Sequence, residues 1–530
     1  MTTLIREPCD DGVIRSGLST SPCPRSSGKW VLAATILGSS LAFIDGTVVN
    51  VALPALQRDL SATVVGVQWV IEAYSLLLAA LLLAGGSMGD RYGRRRIFVI
   101  GVAIFAGASA WCGFASGIGQ LIAARAVQGI GAALLVPGSL AIISSSFSEK
   151  ERGKAIGTWS AFSAITAAIG PVLGGWLVET ISWRAVFFIN IPLALLVILI
   201  SLRHVPESSN TAKGRLDWLG AMLATLGLGA LVYGLIESSS RGFAHPAVFV
   251  ALTSAIILLA LFVVVEARIR NPMLPLSLFR SRTFAGANLL TFLLYGALGG
   301  TLFFLPLNLI QVQRYSPTAA GAALLPLILI IFLLSRCSDA LVQRCGAKLP
   351  LVIGPLIAAT GFALFVRPEV GGSYWVTFFP AVVVLGIGMA VSVAPLTTTV
   401  MSSVTGDRAG VASGINNAVS RTAGLIAIAV LGIVILHTFD RSLDWRLAKL
   451  DVSPAAKQSV NSQRSRLAGI ELPESITPDV RASLTEAIAR SFVDGFHYVM
   501  LIGAALALGS AVTALVLIRS HPLPSPAATG

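Results

Sequence analysis

The most regular pattern in the chain is a succession of long apolar runs separated by short polar breaks. A helix of about 20 apolar residues is long enough to cross a hydrocarbon core of about 30 Å. About fourteen runs meet this criterion, and the pattern therefore predicts an all-α polytopic membrane protein. The runs centre near Gly38, Leu77, Ala106, Gly131, Ala168, Leu195, Thr225, Ile256, Tyr295, Ile328, Ala358, Leu385, Ala423 and Leu506.

Composition and charge support this class and add an orientation. The 530 residues are 55% hydrophobic and 12% charged, and the mean hydropathy is +0.82. The basic clusters 91–96, 150–154 and 213–215 fall on one side of the predicted spans. Because cytoplasmic loops are enriched in Lys and Arg, both termini are predicted to be cytoplasmic. The net charge of +13 then reflects topology, and no basic face for a nucleic acid is expected.

The segments outside the spans are few. Residues 1–28 and 520–530 are expected to be cytoplasmic tails, the first of them disordered, and residues 437–491 form a long outer loop. Within that loop, Thr477 and Pro478 predict a helix that leads into the last span. The five cysteines show no metal-ligand spacing, so neither a disulfide nor a metal site is predicted.

A short internal repeat suggests how the spans are grouped. DRYGRRRIFVIG (90–101) aligns without gaps on QRCGAKLPLVIG (343–354), each after the second span of its block. The repeat predicts a six-helix bundle at 29–203, a linker with two inserted helices at 204–281, and a second six-helix bundle at 282–519.

Three ionisable residues occupy one layer of the first block. At about 1.5 Å per residue, Asp45, Glu72 and Arg125 all come out about 9 to 13 Å below the outer surface. Burial of these charges is tolerable only if they face one another or water, which predicts an acid, acid and base cluster, with Gln128 one turn from Arg125. Such a cluster could exchange a proton with the outside, or it could be an ion pair that only locks helices together.

Ordered motifs give the chain a family resemblance. IDGTVVNVALP (44–54), GSMGDRYGRRR (86–96), LIAARAVQGIGAA (121–133), AAIGPVLGG (167–175) and WRAVFFINIP (183–192) follow one another in the first 200 residues. In this order they resemble the fourteen-helix drug:proton antiporter family of the major facilitator superfamily. Met88 and Thr166 depart from the usual motif residues. The resemblance implies a major facilitator fold, with two six-helix bundles and two inserted helices.

Two of these motifs have roles implied by the resemblance. The loop motif is implied to be a cytoplasmic latch; its basic residues could also serve only to fix topology. The fifth-helix motif is implied to be the antiporter motif and is expected to kink its helix; its glycines could also serve only close packing. The latch residues are Gly86, Gly89, Asp90, Arg91, Gly93 and Arg94, and the antiporter residues are Gly170, Pro171, Gly174 and Gly175.

The second block is less explicit. Its loop repeat has Gln343 opposite Asp90 and Ala347 opposite Arg94, so an equivalent latch is doubtful. Asn416, Asn417 and Arg421 lie deep in the thirteenth span, and Asn417 and Arg421 share a face. Together with Gln128, these three residues are the candidates for the substrate cavity.

The sequence as a whole predicts a proton-coupled exporter of small amphipathic compounds or drugs, working by alternating access in a bacterial inner membrane. Its partners would be the substrate, protons and lipid, it would act as a monomer, and it would need no cofactor. An exporter of one endogenous metabolite remains an alternative, as does a passive pore or a membrane enzyme. The absence of GxxxxGK[ST], HExxH and paired-Cys motifs disfavours nucleotide-driven and metal chemistry.

Overall fold

The protein is a bundle of long helices, seen in a computed structural model that describes residues 27–209, 217–269, 272–334, 346–404 and 409–519. Within these residues, thirteen helices are long and apolar enough to span a membrane, and Lys348–Leu364 is a shorter apolar helix. The all-α fold with about fourteen spans is thus confirmed. Residues 1–26 and 520–530 of the tails, the basic cluster 213–215, Gln343 and every cysteine except Cys112 lie outside the described residues. The spans are α1 (Ser27–Asp59), α2 (Val64–Tyr92), α3 (Arg94–Gly113), α4 (Ile118–Ser146), α5 (Glu149–Thr180), α6 (Ala185–His204), α7 (Trp218–Arg241), α8 (Pro246–Arg268), α9 (Arg282–Leu307), α10 (Pro317–Leu334), α11 (Lys348–Leu364), α12 (Phe378–Ser402), α13 (Ala409–Lys449) and α14 (Pro478–Leu517).

Polar side chains mark the starts of several spans. The Thr63 hydroxyl accepts from the Gly66 amide at the start of α2, and the Ser281 hydroxyl accepts from the Phe284 amide at the start of α9. Asp217 does the same for α7, where its carboxylate accepts from the Gly220 amide at 2.7 Å. The first amides of a helix have no intrahelical acceptor, so these caps favour helix initiation at those positions.

The helices pack in two groups. Spans α1 to α6 pack mainly on one another, with α4 between α2 and α3 and α1 against α5 and α6. Spans α9 to α14 form a second group, in which α14 packs against α9, α11 and α13. Close approach relies on small residues, as expected where lipid supplies no hydrophobic drive between helices. A Cβ added to Gly131 of α4 would lie 2.6 Å from the Phe105 amide nitrogen of α3.

The remaining pair, α7 and α8, sits beside both groups. α7 packs on α8 and also contacts α2 of the first group and α13 of the second. Their meeting point is a small buried cluster that comprises Leu76, Ala79, Val232, Ile236, Leu425 and Ala429. α8 is apolar yet only 11% buried over its central window, which suits a lipid-facing helix.

The longest loop of the chain is shorter than the sequence suggested. α13 continues to Lys449 and α14 begins at Pro478, as Thr477 and Pro478 predicted, so residues 450–477 alone connect them. The two helix extensions and this connection each contribute buried residues, such as Leu443, Leu467 and Phe492. Following the charge prediction, the end of the bundle that carries 450–477 is called the outer end, and the end that carries Gly93 the cytoplasmic end.

Residues 450–477 also contact the spans. The Gln57 side-chain amide at the end of α1 donates to the Arg466 carbonyl at 3.2 Å, and the Gln311 amide donates to the Gln57 carbonyl oxygen at 2.8 Å. Arg464 pairs with Asp444, whose carboxylate raises the pKa of the Arg464 guanidinium. The connection therefore lies across the outer ends of both helix groups.

Candidate functional site

A buried ion pair lies in the middle of the first helix group. Asp45 of α1 is 0% exposed and Arg125 of α4 is 1% exposed, and Nη1 of Arg125 donates to Oδ2 of Asp45. Gln128, one turn after Arg125, donates to Oδ1 of Asp45 at 2.8 Å and accepts from Nη1 of Arg125 at 2.7 Å. The structure thus brings together three of the predicted residues. A buried pair tolerates desolvation only with such additional hydrogen bonds.

Two further residues complete this network. The Asn190 side chain of α6 donates to the Ser109 hydroxyl at 3.0 Å and, more weakly, to Oδ1 of Asp45 at 3.4 Å. The Ser109 hydroxyl of α3 donates to the Phe187 carbonyl at 2.8 Å. Sequence reasoning missed both residues, although Asn190 lies within the noted motif WRAVFFINIP. A buried amide in an apolar run is a signal that could have identified it.

The Arg125 guanidinium is held on its other side by α2. Its Nε donates to the Val70 carbonyl at 3.0 Å, and its Cζ lies 4.2 Å from the centre of the Tyr74 ring. A guanidinium above an aromatic face gains cation–π attraction. The Asp45 and Arg125 pair therefore has a dense set of contacts, all made by helices of the first group.

Glu72 is not part of that network, and the prediction of one three-residue cluster is wrong in this respect. Glu72 is 0% exposed, and within the described parts of the chain neither carboxylate oxygen has a hydrogen-bond partner. The reason is angular, because two residues of α-helix turn Glu72 about 200° away from Tyr74. Glu72 lies at the same depth as Arg125, but its side chain points away from the Asp45 and Arg125 pair.

Glu72 instead lies on the stripe of α2 that meets α13, which we call the α2–α13 seam. One turn before it, the Gln68 side chain donates to the Ile428 carbonyl of α13 at 3.2 Å. Further along the stripe, Leu76 packs in the cluster with Leu425, and a Cβ on Gly414 would lie 2.9 Å from Leu83. The carboxyl of Glu72 therefore sits where the two helix groups and α7 come together.

The candidates from the second group separate into two kinds. The Asn416 side chain donates to Thr291 at 2.7 Å and to Asn288 at 3.2 Å, both on α9, so it joins two helices of its own group. Asn417 is exposed, and its side chain donates only to the Ser413 carbonyl one turn earlier. A cavity of about 100 Å³ is lined by Tyr295, Thr397, Ser413, Asn416, Asn417 and Ser420 together with two apolar residues.

The predicted latch residues lie where α2 gives way to α3. Gly93 alone separates the two helices, with φ of +107°, a conformation that favours glycine. Arg94 donates to Asp90 through Nη2 at 2.7 Å, and the Arg91 guanidinium lies 5.5 Å from the Tyr92 ring centre. Gly86 faces Pro137 of α4, and the Gly89 carbonyl accepts from the Gly93 amide at 3.1 Å.

A residue outside the motif caps this turn. The Glu207 carboxylate, just beyond α6, accepts from the amides of Arg95 at 3.0 Å and Arg96 at 3.1 Å. These are among the first amides of α3, where a carboxylate gains both hydrogen bonds and the favourable end of the helix dipole. Sequence reasoning did not single out Glu207.

The antiporter motif lies at a contact between the two helix groups. Gly170 and Gly174 face Thr47 and Val48 of α1, whereas a Cβ on Gly175 would lie 2.3 Å from the Pro317 carbonyl oxygen of α10. From the other side, a Cβ on Gly321 would lie 2.1 Å from the Pro171 carbonyl oxygen. α5 runs without interruption through Pro171. The small residues thus permit backbone contact between α5 and α10 near the outer end.

Comparison with known proteins identifies the family. The sequence profile of the Major Facilitator Superfamily matches residues 35–428. The chain belongs to this superfamily. It is accordingly a multi-pass membrane transporter and not an enzyme.

Relatives and solved structures agree with this membership. The chain is 36% identical to the multidrug resistance protein Stp of Mycobacterium tuberculosis over 80% of its length and 79% of that protein. It is 30% identical to the tetracenomycin C resistance and export protein of Streptomyces glaucescens over 96% and 95%, and 37% identical to the puromycin resistance protein pur8 of Streptomyces alboniger over 79% and 84%. A bacterial homologue of the human lysosomal transporter Spinster has the same fold, with a TM-score of 0.63 at 18% identity, covering 94% of this chain and 100% of that one.

In this major facilitator protein, Gly175→Ala is expected to lower export at least tenfold. The added methyl group meets the Pro317 carbonyl oxygen, so α5 and α10 cannot close at the outer end. A cysteine placed at Thr318 should then react faster with a membrane-impermeant maleimide. Gly157→Ala, at a glycine of the same helix with open space around it, is the matched control. Equal export and equal labelling in the two variants would contradict the expected block.

Glu207→Ala is expected to lower the free energy of unfolding by about 1 kcal/mol, because two amides of α3 lose a charged acceptor. The difference should appear as a lower thermal unfolding midpoint of the detergent-purified protein. Glu474→Ala, at an exposed position of the 450–477 connection, should leave the midpoint unchanged. A Glu207 variant as stable as the Glu474 variant would show that the cap contributes nothing.

Proposed function

We propose that the protein is a proton-driven exporter of small amphipathic compounds, acting as a monomer in a bacterial inner membrane with both termini in the cytoplasm. The names of its relatives support drug export, since they refer to multidrug resistance, puromycin and tetracenomycin C. The two bundles, α1–α6 and α9–α14, would rock about a central cavity to expose it alternately to each side, as in other secondary transporters.

Proton coupling requires a group whose proton affinity differs between the two transport states. The hydrogen-bond partners of Asp45 are Arg125, Gln128 and Asn190, all in the first bundle, so rigid-body rocking leaves them in place. Glu72 lies on the α2–α13 seam, between the bundles, and rocking changes its surroundings. We therefore assign the exchanged proton to Glu72 and a positioning role to the Asp45 and Arg125 pair.

The observation that carries this proposal is the completely buried Glu72 carboxyl, which has no partner among the residues described. An isolated carboxylate in a dry site has nothing to offset its desolvation, so it holds a proton while the seam is closed. Water that enters when the seam parts makes the ionised form tolerable. A substrate whose binding parts α2 from α13 would admit this water and so release the proton.

The charged groups around Glu72 are compatible with this role. On α4, Arg125 is already paired with Asp45, and on α7, Glu237 is paired with Arg241 at 2.9 Å. On α13, Arg421 is the charged residue within the membrane part of the helix. The Glu72 proton is therefore governed mainly by the hydration of the seam.

The test is the release of protons when substrate is added to the purified full-length protein in weakly buffered detergent solution. Puromycin and tetracenomycin C are the first ligands to try, because relatives are named after them. We expect binding to release protons, and more below the midpoint of Glu72 ionisation than above it. Binding with no proton release at any pH would overturn the coupling.

A dedicated exporter of one compound is the second candidate. It is favoured by the tetracenomycin C relative, because that similarity extends over 96% of this chain. Uptake of several unrelated dyes into energised inverted vesicles distinguishes the two. Transport of several dyes supports the broader exporter, and transport of tetracenomycin C alone supports the dedicated one.

A further inference from the structure

Arg421 lies in the middle of the transporter and has no counter-ion among the described residues. It lies twelve residues into α13, about 18 Å from the cytoplasmic end and so near the membrane midplane. No carboxylate of the described residues is within ion-pair distance of its guanidinium. A membrane protein rarely keeps a charge at this depth unless the charge is paired or serves a function.

The position of Arg421 on its helix points it towards the first bundle. Leu425 and Ile428, one and two turns later on the same stripe of α13, contact Leu76 and Gln68 of α2, respectively. Arg421 itself is partly exposed. Its position on α13 therefore places it beside the α2–α13 seam.

A second unpartnered group lies near Arg421. The Tyr74 hydroxyl of α2 is buried and has no hydrogen-bond partner among the described residues, and Arg421 is within electrostatic range of it. The ring of the same tyrosine stacks on Arg125, which fixes its position. A buried hydroxyl without a partner is costly, so a ligand that accepts from it is favoured.

The polar cavity of the second bundle lies next to Arg421. Asn417 lies one turn before Arg421 on the same face, and Ser420 and Ser413 line the same cavity. Its wall combines hydrogen-bonding groups with two apolar residues, Val400 and Met401. The cavity and the neighbouring Arg421 thus offer one full positive charge and several hydrogen-bonding groups, and no carboxylate is among the residues that line the cavity.

We propose that the exported compounds carry an acidic oxygen group, such as a carboxylate or an ionised enol or phenol, which binds between the Arg421 guanidinium and the Tyr74 hydroxyl. This inference rests on the proposed export function and defines its substrate class. Arg421 is then a specificity-determining residue that selects against cations. The carboxylate of Asp45 cannot attract a cation instead, because it is already paired with Arg125 and hydrogen-bonded by Gln128.

The experiment compares three fluorescent probes that share one ring system and differ in charge at pH 7. They are anthracene-9-carboxylic acid, its carboxamide and 9-(aminomethyl)anthracene, with charges of −1, 0 and +1. Binding to the purified full-length protein is measured by fluorescence anisotropy without any proton gradient. We expect the acid to bind at least tenfold more tightly than the amine.

Variants then test whether Arg421 is the cause. Arg421→Gln should weaken binding of the acid about tenfold while changing binding of the carboxamide less than threefold, and Arg421→Lys should restore the preference for the acid. Tyr74→Phe should weaken acid binding about threefold. Arg441→Gln, at an exposed arginine of the same helix beyond the seam, is the matched control and should bind like the unchanged protein.

Two results would overturn the inference. One is equal affinity of the unchanged protein for the acid and the amine. The other is an equal loss of affinity for all three probes in Arg421→Gln. The binding assay involves no proton movement. Its result would therefore remain valid even if the proposed coupling of Glu72 to transport were wrong. If substrate binding releases protons but the acid and the amine bind equally well, the proposed function stands and only this substrate class is ruled out.

Discussion

Glu72→Gln is expected to abolish uphill export and substrate-induced proton release, with each signal falling at least a hundredfold. Glutamine keeps the size of the side chain but cannot exchange a proton, so the state-dependent charge at the seam is lost. Substrate binding and loss of this proton are linked, so substrate affinity should become less dependent on pH in the variant. Counterflow without a proton gradient should persist.

The matched control for this prediction is Glu237→Gln. Glu237 is a glutamate of the neighbouring helix α7 that is paired with Arg241 near the outer end. It should release protons and export like the unchanged protein. Full proton release by Glu72→Gln, or an equal defect in the two variants, would remove Glu72 from the coupling role.

Asp45→Asn is expected to destabilise the protein by about 3 to 5 kcal/mol, because it leaves the buried Arg125 charge uncompensated. The expected signs are a lower thermal unfolding midpoint and a lower yield of monodisperse protein. The double variant Asp45→Leu with Arg125→Met removes both charges and should recover most of this loss. Equal unfolding midpoints for the unchanged protein, Asp45→Asn and the double variant would contradict a structural role for the Asp45 and Arg125 pair.

The same variants also discriminate between the two acids. If Asp45→Asn remains folded but loses proton release, whereas Glu72→Gln keeps it, then Asp45 carries the exchanged proton. If the reverse holds, the assignment to Glu72 is correct. Arg184→Gln is the control for the stability measurement, because its exposed ion pair with Asp59 should contribute only about 0 to 1 kcal/mol.

The substrate charge and the hydration of Glu72 act in opposite directions, and their sizes decide the outcome. At an effective dielectric constant of 20, two unit charges separated by about 10 Å interact by about 1.7 kcal/mol, and a negative substrate group favours the protonated acid by an energy of this order. Wetting a buried carboxylate changes its free energy by several kcal/mol. Hydration is the larger effect, so binding of an acidic compound at the seam still favours loss of the proton.

Much of the fold could be predicted from the sequence, because apolar runs of membrane-spanning length are hard to confuse with any other structure. The fourteen spans were found in this way, as was the layer shared by Asp45, Arg125 and Gln128. The ends of the helices were harder to predict. α13 and α14 extend beyond the membrane through polar, helix-favouring residues that a hydropathy window assigns to the 437–491 loop.

The site was only partly predictable, for reasons visible in particular residues. Glu72 was placed at the correct depth, yet its direction depends on which neighbours α2 packs against, and that is a property of the tertiary structure. Glu207 caps α3 from more than a hundred residues away, and Ser109 is a single hydroxyl in an apolar run. Neither residue has a local spacing that marks it.

The unpaired Arg421 also bears on how the transporter is energised. If one proton enters as one monoanion leaves, each cycle moves two positive elementary charges inward, whereas exchange of a proton for a monovalent cation moves none. Each charge gains about 2.3 kcal/mol per 100 mV of membrane potential. At 100 mV this amounts to about 4.6 kcal/mol per cycle, enough for a concentration ratio above about a thousandfold. A cell with equal pH on both sides would still expel such a compound, and a potassium ionophore that collapses the voltage would stop it.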